Sequence, residues 1–163
     1  MKSRSLQIFG ILLSVGAISA RAGDLNRASK ILTAEAAQTI LGAPVEADSR
    51  NADADTEMGK TWVSKASYSV KSGGASGIRV SILIRHAPSH EEAQSIFESS
   101  KATFHGEDVA GLGDAAYRTK TPAQLNILKG NDWLIITAGT FRDPDPAMQE
   151  KLAREILAKM PAS

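Results

Sequence analysis

His86 and His90 stand four residues apart with Glu91 and Glu92 beside them, a composition that suggests a metal. A zinc-protease helix needs His-Glu-x-x-His, so that two imidazoles face one ion while the glutamate acts as base. The position four after His90 is Gln94, and Pro88 prevents one helix from carrying both histidines. Ser89 and Glu92 instead make the Ser-x-x-Glu capping box of a helix start, which puts both histidines on the surface there. In the polar segment 46–60, Asn51, Asp53, Asp55 and Glu57 alternate as the first ligands of a calcium loop do. The loop pattern then wants glycine where Thr56 stands and a carboxylate where Trp62 stands, so the segment reads as a solvated acidic loop.

The run GLGDAAYR, Gly111 to Arg118, raises a phosphate cradle as a second possibility. Such a cradle is Gly-x-Gly-x-x-Gly between a strand and a helix, so that amides at the helix start face the anion. Here the sixth position is Ala116 and the glycines precede a strand. The stretch reads as a tight turn, with Asp114 bonding local amides and Tyr117 packing in the strand that follows.

No Gly-x-Ser-x-Gly, Ser-x-x-Lys or cysteine supplies a recognisable nucleophile, and no catalytic, cofactor or metal set emerges from the motifs. The one dispersed set that hydrolase or lyase chemistry would use is His105, Asp114 and Tyr117, and it requires a cleft holding the three within hydrogen-bond reach. Lys65, Lys71, Arg79 and Arg85 fall on the polar side of two alternating segments, a basic strip that reads as solvated surface, with an anion site as the alternative.

The elements that position these residues follow from periodicity. Residues 23–30 are a polar lead-in. ILTAEAAQTILGAP is a short helix capped by Thr33 and stopped by Gly42 and Pro44. TWVSKASYSV and GIRVSILIR alternate as a half-buried antiparallel hairpin across SGGAS, with Trp62, Ala66, Tyr68 and Val70 on one face of the first strand, Ile78, Val80, Ile82 and Ile84 on one face of the second, and Leu83 the exception. A helix follows Ser89, with Ala93, Ile96, Phe97, Ser100 and Phe104 on one stripe. DAAYRTK, PAQLNILKG and WLIITAGT are three strands, the last two joined by a turn at Gly130-Asn131. WLIITA is apolar on both faces and so belongs in the centre of a sheet. The last helix has Asp145 as cap, Pro146 in its first turn and a stripe of Met148, Leu152, Ile156, Leu157 and Met160. The expected fold is α+β, a curved antiparallel sheet of about five strands with three helices packed on it.

Residues 1–22 carry Lys2 and Arg4, an apolar run from Leu6 to about Ala20 and the triplet Ala20-Arg21-Ala22, the pattern of a secretory signal peptide cut after Ala22. The run is too short and too interrupted for a spanning helix, which needs roughly 20 apolar residues. The expected mature chain, 23–163, is a single domain in the periplasm or outside the cell. It carries 16 basic and 18 acidic residues, because three of the 19 basic residues and none of the 18 acidic ones lie in the leader. A net charge of −2 gives no sign of a nucleic-acid partner, which wants a predominantly basic surface to neutralise phosphates.

The run DVAGLGDAAYRTK, then LNILKGNDWLIITAG, then a last helix ending LAREILAKM, resembles small exported bacterial proteins of unknown function. It is similar to actinobacterial lipoproteins of that kind and, more remotely, to the PsbP/Mog1-like fold, over roughly the C-terminal two thirds. It departs from the lipoproteins in having no cysteine. The resemblance implies fold and export. Function is expected to be that of a non-enzymatic binding or accessory protein of the cell envelope, with an unidentified protein or small-molecule partner. The alternatives are the small hydrolase or lyase around His105, Asp114 and Tyr117, and an inhibitor or immunity-type protein.

Overall fold

The computed structural model describes residues 26–48, 56–58, 61–71 and 77–160. The leader 1–22, the turn SGGAS, and Asn51, Asp53 and Asp55 of the acidic loop lie outside the described residues. Element order is α1 (Ala28–Ile31), α2 (Ala34–Leu41), β1 (Val45–Ala47), β2 (Thr56–Met58), β3 (Thr61–Val70), β4 (Arg79–His86), α3 (His90–Thr103), β5 (Glu107–Asp108), β6 (Ala115–Lys120), β7 (Ala123–Lys129), β8 (Asp132–Gly139) and α4 (Pro146–Leu157). Every strand pairing is antiparallel, in the order β1-β3-β4-β8-β7-β6-β5, with β2 also pairing β3.

The α+β class is as expected, but the counts are larger: eight strands and four helices among the described residues, against about five and three. The additions are short. β1 and β2 pair with β3 inside what reads as a polar loop, and β5 is two residues long. α1 is a single turn in the supposed lead-in, yet Ala28, Ile31 and Leu32 are buried, and the Ser64 hydroxyl accepts from the Ala28 amide at 2.9 Å.

Sheet alternation builds two unequal faces. On the first, Ala66, Val80, Ile82, Ile84, Leu125, Ile127, Leu134 and Ile136 are covered by α1, α2 and α4 in one continuous core. Each fully buried Ile or Leu contributes about 1.5–3 kcal/mol, so this face carries most of the stability. Arg118 of β6 ties α4 down through Glu150 at 2.8 Å. Among the described residues the second face is covered only at one end, where α3 sets Ala93 and Phe97 against Tyr117, Leu128 and Trp133. Phe97 meets both aromatic partners edge-on, its centroid 4.7 Å from Tyr117 and 6.4 Å from Trp133.

The caps form as their residue types dictate. Thr33, Ser89 and Asp145 each accept from the amide three residues on, and Gly42 ends α2 at φ +67°. At the β7–β8 turn only Gly130 takes a positive φ, +57°, while Asn131 does not, which is the arrangement of a turn with glycine at its first central position.

A candidate anion-binding trough on the open sheet face

Because α3 covers only one end of the second face, the middle strands β3, β4, β8 and β7 leave a concavity there of about 420 Å³. Strand register arranges its floor in cross-strand rows. Arg79 of β4 lies opposite Ser69 and Gly139; Ser81 lies between Ser67 and Thr137; Leu83 between Lys65 and Ile135; and Arg85 between Val63 and Trp133. A row of hydroxyls and a largely apolar row are thus framed by an arginine at each end.

The hydroxyl row has a donor to spare. The Ser81 and Thr137 oxygens are 2.6 Å apart, and one such contact consumes one of their two protons. At the Arg85 end the guanidinium lies 4.9 Å from the centroid of the Trp133 ring, an attraction of cation to π face, and its Nε is buried without a hydrogen-bond partner. Trp133 is itself fixed by donating its indole N–H to Asn126 at 3.1 Å. Phe104, at the C-terminal end of α3 and 48% exposed, forms part of the wall.

Past Arg79 the trough continues into a second concavity of about 460 Å³ with Arg79, Pro122, Gln124 and Thr137 common to both. Lys120 and Arg142 line this extension, and Phe141, 90% exposed, stands beside them on the β8–α4 link. Five cations, Lys65, Arg79, Arg85, Lys120 and Arg142, therefore line the joined surface, and among its described residues there is no carboxylate. Lys120 is engaged with Glu107 at 2.6 Å, and the pairing lowers the Glu107 pKa and raises that of Lys120. Arg79 and Arg142 make no ion pair with any described residue.

Of the basic strip read from sequence, Lys65, Arg79 and Arg85 reach the trough and Lys71, beyond the end of β3, is not among its lining residues. Trp133, Phe104, Thr137 and Gln124 were not legible as site residues. They come from three separate elements, β8, β7 and the end of α3, and the only local signal is Thr137 interrupting an apolar strand.

His105, Asp114 and Tyr117 do not form one cluster. Tyr117 is fully buried under α3, and its hydroxyl donates to Ser100 at 2.9 Å. Burial raises its pKa above the ordinary phenol value, with the Ser100 bond opposing. Asp114 accepts from the Gly130 amide at 2.6 Å and faces Lys129 at 3.7 Å, so its partner is the β7–β8 turn rather than the local amides expected. His105 is exposed at φ +51° just beyond α3.

The two other histidines also differ. His90 is exposed at the start of α3, as expected, and its ring bonds the Gly130 carbonyl at 2.7 Å. His86 is not a surface residue at a helix start: it is the last residue of β4, opposite Asp132 in register, and its Nδ1 lies 2.8 Å from the Asp132 carboxylate. Asp132, only 3% exposed, also accepts from Asn26 at 2.6 Å. The buried carboxylate is satisfied by tying the chain before α1 to the β4–β8 pair. No group of three or more His, Asp or Glu side chains among the described residues could hold a metal ion. Nor is any described helix long and apolar enough to cross a membrane.

Comparison with known proteins adds no homologue: no protein family, curated protein or solved structure matches the chain significantly.

Proposed function

We propose that the chain is an exported, non-enzymatic binding module of the cell envelope, periplasmic or secreted, which holds an anionic ligand in the trough. The leader pattern of residues 1–22 and the likeness of the GLGDAAY turn to exported bacterial proteins support export. The observation that carries the binding reading is an Arg79 with no ion pair to any described residue and a partly unsatisfied Arg85, on a surface with five cations and no lining carboxylate among the described residues. Guanidinium groups left without carboxylates offer rigid forks of donors that match carboxylate or phosphate geometry. The hydroxyls of Ser67, Ser81 and Thr137 add donors without charge.

Trp133 supplies the readout, because an anion that draws Arg85 off its ring changes the indole's surroundings. The chain has two tryptophans, so a Trp62→Phe background isolates Trp133. Titration of that protein with inorganic phosphate and with free glutamate should give a saturable change in emission, weakened at least tenfold by Arg79→Ala or Arg85→Ala. A flat titration, or one indifferent to both arginines, rejects the site.

A further inference from the structure

The rows of the floor have an order, and that order specifies more than an anion. Along β4 the groups facing the trough recur every second residue as Arg79, Ser81, Leu83 and Arg85. Their backbone positions are about 6.6 Å apart and the two arginines about 20 Å apart, the repeat of any extended chain. A strand-like ligand laid along β4 is therefore commensurate with the floor, whereas a single small anion can meet only one end. A lipid tail has no deep apolar slot here, since Ser67, Ser81 and Thr137 cross the middle and Trp133 is only 6% exposed.

We propose that the occupant is an extended acidic peptide segment of a partner protein, about seven residues long, lying across the sheet face along β4; this rests on the anion-binding reading above. Its alternate side chains meet the floor in turn: a carboxylate at Arg79, a small polar group at the Ser67-Ser81-Thr137 row, an apolar group at Leu83 and Ile135, and a second carboxylate at Arg85. The strands concerned are already paired on both sides, so the peptide is read by side chains from above and adds no strand to the sheet. Phe141, exposed beside the Arg79 end, gathers whatever apolar residue precedes the segment.

The probe is a blocked seven-residue peptide with glutamate at positions one and seven, serine at three, leucine at five and alanine elsewhere. Its controls replace either or both glutamates by glutamine, and all are titrated against the Trp62→Phe protein. The two-headed peptide should bind at least tenfold more tightly than either single-headed one, and Arg79→Ala or Arg85→Ala should each erase that advantage. Leu83→Ser should weaken peptide binding by several-fold, and by more than it weakens phosphate binding, which a merely electrostatic surface would not do. Far-UV circular dichroism and thermal melts confirm that each variant is folded, and Arg79→Lys and Arg85→Lys serve as milder replacements if an alanine variant is not.

If phosphate and glutamate bind with arginine dependence but the two-headed peptide gains nothing, the peptide proposal fails and the anion site stands. Tighter binding of an oligouronate of equal charge would assign the trough to an acidic glycan and also overturn the proposal. If no anion binds, both readings fail together.

Discussion

Tyr117 shows how far a residue's chemistry is set by what surrounds it. Its ring fills the space between α3 and the sheet, and a Cβ built on Gly106 would clash with its edge. Its hydroxyl has one bond, to Ser100. Burial disfavours the phenolate, so the folded-state pKa lies above the unfolded value of about 10. Stability from this group is fully present below that value and declines as pH rises through the folded pKa, because the unfolded chain releases the proton first. Tyr117→Phe should cost about 1 kcal/mol at neutral pH through the lost hydrogen bond. From about pH 10 upward, however, the urea midpoint of the variant should fall less steeply than that of the parent. Parallel curves through that range would show that the phenol ionises as easily folded as unfolded.

At the scale of elements, α3 decides what the second face of the sheet becomes. It buries Ala93 and Phe97 over the end of the strands and leaves the rest open, so the trough exists because the helix stops at Thr103. Phe97→Ala should cost about 3–5 kcal/mol in denaturant unfolding, since the ring is 1% exposed and packed on two other aromatics. A cost near zero would mean that α3 is not held by this contact. The helix, its Ser89 cap and the stripe through Phe97 were legible because an amphipathic segment repeats its signal over several turns. The β3–β4 hairpin was legible for the same reason, from its long runs of alternation, and the β7–β8 hairpin from the Gly130-Asn131 turn ahead of an apolar run. α1 was not, because four residues are too few to show a helical period, and its order comes from burial of Ile31 and Leu32 and from the Ser64 bond. β1, β2 and β5 are edge strands two or three residues long, set by their partner strands rather than by their own composition. Three cations of the trough were legible from alternation alone. Their neighbours were not, since register across β3, β4 and β8 is a long-range property that no local window contains.

For the molecule as a whole, the first described residues bear on where a leader can be removed. Asn26 bonds the buried Asp132, Ala28 bonds Ser64, and Lys159 just past α4 donates to the Ile31 carbonyl at 3.0 Å, which links the two ends of the fold. Ile31 and Leu32 are 6% and 0% exposed, and their loss would remove about 1.5–3 kcal/mol each before any cavity penalty. A cut after Ala22 preserves all of these contacts, whereas one after Leu32 removes them together. On the export proposed above, the processed protein should therefore begin at Gly23, and the chain 23–163 should unfold with the same free energy as a version extended by a short N-terminal tag. The chain 33–163 should lose about 5 kcal/mol or more, enough to consume much of the margin of a domain this size. Edman sequencing of the protein recovered on the proposed export route and urea unfolding of the three chains measure these outcomes. A folded product that begins beyond Leu32, or equal stability of 23–163 and 33–163, would show that α1 is dispensable to the fold. If the lost turn of helix proves as costly as its burial implies, it is an integral part of the core, joined through Lys159 to the opposite end of the chain.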